Sequence, residues 1–221
     1  IAAVVVGSSV EGPEADIAPS TRIDRLTATG PLADARRALD ADLTKAGFPA
    51  AKLAGSADAK VGSRAGVDVE LAKGGARIDV VAGAPLGSLA PSLFADDGSL
   101  VAEARGGARA TLYACGPARR GRVDVEADAR PGPFAVEMRD LPNVPASFVA
   151  HPLAASRVLE RLYGDEPELP KGLDGAASFA ASPTTIVRQP LALAPDACFD
   201  VAVAIGAVGS GLDLRLLGAK S

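Results

Sequence analysis

The sequence predicts an all-β protein, an antiparallel β-sandwich in an imperfect tandem repeat, with short helices in its linkers. Three observations carry that expectation. Hydrophobic and polar residues alternate with period two in short runs from Val67 to Met138. Turn-forming clusters separate the runs about every 8–12 residues, the spacing of sandwich strands. Each run is polar on one side, which fits stacked sheets that each keep one face in water. Composition agrees with a packed core, since 48% of the 221 residues are hydrophobic and 23% charged. Alanine fills 46 positions while aromatics make up 4% and Trp is absent, so the core is expected to consist of small aliphatics.

The repeat shows as self-similarity at a fixed offset. Gly30-Pro31-Leu32-Ala33 with Arg36 returns as His151-Pro152-Leu153-Ala154 with Arg157, and Ile78-Asp79-Val80 returns as Phe199-Asp200-Val201. Each copy opens with a helix. In the first, Pro31 suits a first helical position, and Leu32, Ala35, Leu39, Leu43 and Ala46 form the apolar stripe before Gly47 ends the helix. Arg36–Asp40, Asp34–Arg37 and Asp42–Lys45 are candidate surface pairs along it. The second helix is predicted over Pro152 to Tyr163, with Leu153, Leu159 and Leu162 as its stripe and Gly164 as its stop. Packing across the open end of a sheet is the expected role of both.

After the first helix the period changes to two. Val67, Val69 and Leu71 alternate with Asp68 and Glu70, and Lys73-Gly74-Gly75 supplies a turn. Ile78, Val80 and Ala82 alternate with Arg77, Asp79 and Val81. Leu89 and Leu93 lead into Asp96-Asp97-Gly98-Ser99, a hairpin signal, and Leu100 to Ala104 returns. A run from Ala108 to Cys115 follows. Val123, Val125 and Ala127 oppose Asp124, Glu126 and Asp128. Arg130-Pro131-Gly132-Pro133 then turns the chain, placing Phe134, Val136 and Met138 inward and Glu137 and Arg139 outward. In the second copy Phe199, Val201 and Val203, then Leu212, Leu214 and Leu216, read as strands. The expected organisation is an N-terminal strand or tail (1–29), a helical linker (30–62), a first sandwich (63–141), a linker with a short helix (142–185) and an incomplete second sandwich (186–221). Because the chain begins at Ile1 and its second copy lacks the later strands, a processed chain or a fragment is expected.

Several functions are disfavoured. A net charge of −4 with 17 scattered arginines does not make a nucleic-acid surface. No stretch reaches the roughly 18–20 apolar residues of a membrane-spanning helix. One histidine and two cysteines rule out a His-rich metal site or a four-cysteine zinc site. Cys115 and Cys198, taken alone, read as small buried hydrophobes.

Two segments carry a family resemblance. Ala197 to Leu217 (ACFDVAVAIGAVGSGLDLRLL) resembles the early strands of the bacterial pre-peptidase C-terminal domain, and Gly121 to Met138 (GRVDVEADARPGPFAVEM) resembles its closing hairpin. Arg122 stands where the family usually has Tyr. The resemblance implies a jelly-roll-like sandwich attached to secreted enzymes or surface proteins, of the kind found in exported proteins of myxobacteria-like high-GC bacteria, and no catalytic residues. It also places Cys198 on an early strand and Cys115 just before the closing hairpin, so the two are orphaned halves of separate bridges or pair across copies.

His151 lacks a nearby nucleophile and is expected to cap a helix or face solvent. Neither Gly209-Ser210-Gly211 nor Gly62-Ser63-Arg64-Ala65-Gly66 has the spacing of a nucleophile elbow. Asp96 and Asp97 are candidate calcium ligands, since loop oxygens suit a hard cation, although turn chemistry alone accounts for Asp-Asp-Gly. Asp124, Glu126 and Asp128, beside Arg130 and Arg139, read as a solvated face. Arg119, Arg120 and Arg122 form a basic turn that could touch an anionic glycan or lipid head group, with no aromatic platform beside it. The resulting expectation is a non-enzymatic exported structural or binding module, with a protein or glycan partner and no assigned cofactor. The alternatives are an accessory domain of a secreted hydrolase and a homo-oligomer in which residues 1–12 of a neighbour complete the second copy.

Overall fold

The structure, a computed structural model, describes residues 2–9, 27–142, 144–164, 166, 167, 170, 173, 176–180 and 199–205. The first strand, β1 (Ala2–Ser9), belongs to a small separate sheet. The next eight strands are β2 (Lys52–Ala59), β3 (Arg64–Leu71), β4 (Gly74–Ala82), β5 (Gly87–Ala95), β6 (Leu100–Glu103), β7 (Arg109–Gly116), β8 (Arg119–Arg130) and β9 (Gly132–Leu141). They build two four-stranded antiparallel sheets, ordered β2-β9-β4-β7 and β3-β8-β5-β6. The pairing is that of one long hairpin. β5 meets β6 at its tip, then β4 meets β7, β3 meets β8, and β2 meets β9 at its open end. Rolling this ribbon on itself sets β4 against β9 and β5 against β8, which is the winding of a jelly roll.

The alternation read from the sequence is what allows the roll to close. Val67, Val69, Ile78, Val80, Leu89, Leu93, Val123, Val125, Phe134 and Val136 all point between the sheets and form one buried cluster. Each such side chain contributes about 1.5–3 kcal/mol on burial. The turn at Asp96–Ser99 is the predicted hairpin, with the Ala95 N–H donating to the Ser99 carbonyl and Gly98 at φ +79°. The turn at Lys73 instead carries the chain from one sheet to the other, because β3 and β4 lie in different sheets.

One strand lies where the sequence predicts a helical linker. β2 occupies residues 52–59 inside the expected 30–62 segment and pairs with β9 along the sheet edge. Its sequence, KLAGSADA, has no β-branched or aromatic residue, and its backbone pairing decides its conformation.

The predicted helices are present with altered contacts. α1 (Leu32–Lys45) has Pro31 at its N-cap, one position earlier than expected, and buries Leu39 and Leu43. It packs on the outer face of β4 and β9, not across the end of a sheet. A short α2 (Ala146–Ala150) leads into α3 (Pro152–Tyr163), whose bounds match the sequence reading. Its buried side is Ala154, Ala155, Val158 and Leu159; Leu153 and Leu162 are only half-buried. α3 lies along the β6 and β7 edge of the sandwich and also contacts the small sheet. That sheet has the order β10-β1-β11, with β10 (Ala177–Ala180) and β11 (Phe199–Ile205) both antiparallel to β1. β11 is the predicted strand around Val201. Leu212 to Leu216 and Cys198 lie outside the described residues.

Candidate functional site

The two sheets present outer faces that share one chemistry. On the sheet β2-β9-β4-β7 the outward charged residues of β4 and β9 read as solvent-facing in the sequence, yet they are buried. Arg77, Asp79 and Arg139 are each no more than 1% exposed, and Glu137 is 3% exposed. α1, α2 and α3 cover them, and the outward Val81, Tyr113, Cys115 and Leu141 join a second hydrophobic cluster with Leu43, Phe48 and Phe148.

Register explains how charge survives there. Arg77 sits opposite Tyr113 and Arg139, and the adjacent row sets Asp79 opposite Thr111 and Glu137. Like charges therefore face each other across strands, a destabilising arrangement on its own. Neighbours along and diagonally across the strands offset it: Arg77 Nη2 lies 3.0 Å from Asp79 Oδ1 on the same strand, and Arg139 Nη1 lies 3.4 Å from Asp79 Oδ2 on the diagonal. Thr111 donates to Asp79 at 2.9 Å. α1 completes the network, Arg36 reaching Glu137 at 2.8 Å and Asp40 accepting from Arg139 at 2.8 Å. Arg36 and Asp40 thus both point down to β9, where the sequence suggested an intrahelical pair, while Arg37 does pair with Asp34 as expected. The Phe48 and Tyr113 rings flank the Arg77 guanidinium at 5.3 and 5.8 Å. Arg77 also donates to the Glu166 carbonyl at 2.6 Å, and Tyr113 donates to the Gly164 carbonyl at 3.1 Å. This layer fastens α1 and the segment after α3 to the sheet, and most of its polar groups are paired; Glu137 Oε2 and Arg139 Nε are buried without a hydrogen bond.

The sheet β3-β8-β5-β6 is different. Its outer face carries Asp68 and Glu70 from β3, Arg120, Arg122 and Asp124 from β8, and Phe94 from β5. With Asp96 at the neighbouring turn they line a shallow groove of about 660 Å³. Cross-strand register sets Glu70 opposite Arg120 and Asp68 opposite Arg122, with Phe94 on the far side of Arg122. The pairs are loose where they are wet: Arg120 Nε lies 3.8 Å from Glu70 and Arg122 Nη1 lies 4.0 Å from Asp68. Arg122 is anchored more firmly by Asp124 at 2.8 Å, and that hydrogen bond raises its already high pKa. The guanidinium lies flat over Gly66, where a Cβ would stand 2.1 Å from Nε, so only glycine admits this pose.

Of the site residues named from the sequence, Asp96, Asp97 and Cys115 lie among the described residues and Cys198 does not. Asp96 lines the groove. Asp97 accepts from the Ser99 N–H at 2.8 Å, and the Ser99 side-chain and backbone hydrogen bonds hold its carboxyl below the usual range. Among the described residues no group of three or more His, Cys, Asp or Glu side chains converges to hold a metal. Cys115 is a free, buried thiol whose pKa burial pushes up to about 12. His151 occupies the N-cap of α3 without a side-chain capping bond. The basic turn disperses: Arg119 donates to the Cys115 carbonyl at 2.8 Å, while Arg120 and Arg122 face the carboxylates of β3. Arg139 lies in the other sheet, away from the acidic face of β8.

Phe94 was not singled out by its sequence context, although the signal exists. It is out of phase with the inward Leu89 and Leu93, which turns an aromatic side chain to the outside. No protein-family model matches the chain, and no curated protein matches it either. Among the described residues no helix is long and apolar enough to cross a membrane.

Proposed function

We propose that the chain is a non-enzymatic exported module of the cell envelope or extracellular space, whose jelly roll serves as a binding or structural unit. The observation that carries this reading is the asymmetry of the sandwich. One outer face is committed to holding helices, and the other offers an open groove of charged residues around Phe94. Ligand contact on a sheet face needs a rigid platform, and the covered face with its ionic layer supplies the rigidity. The resemblance of Gly121 to Met138 to the closing hairpin of pre-peptidase C-terminal domains supports the exported setting, since such sandwiches accompany secreted and surface proteins.

Fractionation of the source organism with an antibody raised to the chain tests the proposal. Recovery from the envelope or the medium is the expected result. Recovery from the cytosol alone overturns it.

A further inference from the structure

The groove on β3, β5 and β8 has a lining that discriminates among ligand chemistries. Asp68, Glu70, Asp96 and Asp124 bring carboxylates, and Arg120 and Arg122 bring guanidiniums set between them. A carboxylate accepts two parallel hydrogen bonds and a guanidinium donates two. Phe94 adds the face or edge of an aromatic ring at the same place. The excess of carboxylates repels a polyanion, and the interposed arginines break the field that a polycation would need. What fits alternating acceptors and donors beside an apolar ring is an uncharged ligand rich in vicinal hydroxyls, with C–H faces to lay on the ring.

We infer that this face binds a neutral oligosaccharide, with Phe94 as the stacking platform and Asp68, Glu70, Arg120 and Asp124 as hydroxyl partners. The inference rests on the proposed binding role and names its ligand class. It replaces the anionic glycan or lipid head group suggested by the run of arginines, because those arginines already face carboxylates.

Titration calorimetry of the whole chain with series of neutral oligosaccharides, beside a uronic-acid series, tests it. Binding of at least one neutral series is expected, with affinity unchanged from low to high salt. Phe94→Ala should weaken it about tenfold, and Phe94→Tyr should retain it. Leu53→Ala, on the edge strand of the other sheet, should leave it unchanged. Should Phe94→Ala lose its β-sheet circular dichroism, Asp68→Asn carries the test, because that side chain is 88% exposed and its change spares the core. Unaltered binding by the informative variant overturns the assignment. So does a chain that binds no neutral series, or only the uronic-acid series in a salt-sensitive manner. An envelope protein that binds no glycan leaves the proposed role standing and removes only the ligand class; a cytosolic protein removes the role itself.

Discussion

The outer faces of the two sheets both carry rows of opposite charges and live in opposite environments; the covered face adds Val81, Tyr113, Cys115 and Leu141. On β4 and β9, Arg77, Asp79, Glu137 and Arg139 alternate with core residues just as Asp68, Glu70, Arg120 and Arg122 do on β3 and β8. The pairs under the helices interlock at 2.8–3.6 Å, while on the open face Arg122–Asp124 holds at 2.8 Å and two other pairs open to 3.8 and 4.0 Å. The difference follows from water. Under the helices a charge that loses its partner has no solvent to turn to, so most polar atoms there hold protein partners, Glu137 Oε2 and Arg139 Nε excepted. In the open, solvent competes for each group and screens the pair, so geometry relaxes and the groups stay available to a ligand. Similar charge alternation therefore accompanies a fastening on one side and an open charged face on the other.

The largest expected break of this comparison is Asp79→Ala. It leaves Arg77 and Arg139 buried without their shared anion, a loss of about 3–5 kcal/mol. Native proteins hold only about 5–15 kcal/mol in total, so urea unfolding should show a large drop in midpoint. Glu70→Ala, the matching change on the open face, should leave that midpoint within error; equal effects would mean that the two faces do not differ as described.

Alkaline pH offers the next test. The Cys115 pKa is raised to about 12 in the folded state, so the stabilising preference for its neutral thiol is complete below the unfolded value. It is lost as pH rises from about 9 toward 12, because the unfolded chain releases the proton first. Unfolding free energy should fall over that window more steeply in the native chain than in Cys115→Ala. The same burial should shield Cys115 from a thiol reagent until denaturant is added, as peptide mapping can show separately from Cys198.

A smaller effect is expected from Phe48→Leu, which keeps the burial but removes the ring from Arg77. A desolvated cation–π contact is worth up to about 2 kcal/mol, and the loss should appear in the urea midpoint without loss of β structure. The smallest belongs to the turn. Ser99→Ala should let the Asp97 carboxyl titrate closer to its usual range by NMR, since the Ser99 side-chain bond leads the causes of its lowered value. The sign is that of a depressed carboxylate: its contribution is present above the unfolded pKa and fades as pH falls through the folded one. An unmoved titration would mean that the backbone bond alone sets it.

These contrasts mark what was legible in the residues. The strands from Val67 to Met138, the Asp96–Ser99 hairpin and both long helices follow from period, propensity and turn chemistry, all local properties. β2 was not legible because an edge strand of small residues has no periodic signal and takes its conformation from β9. The groove was half legible: Asp96, Arg120, Arg122 and Asp124 stood out as charges, but their neighbour Phe94 is separated from Arg122 by a whole hairpin and meets it only through register.

Alternation alone determined that one side of every strand would build the inter-sheet core, because a period of two places every second side chain on the same face. It could not determine what lies over the other side. Whether Arg77 or Arg122 meets a helix or water depends on where α1, α2 and α3 dock, and that is settled by contacts between residues far apart in the chain, such as Arg36 with Glu137. The fold class was thus a property of the sequence read locally. The division of one charge pattern into a fastening and an open face belongs to the tertiary structure, since only packing sets the solvent exposure on which the worth of a charge depends.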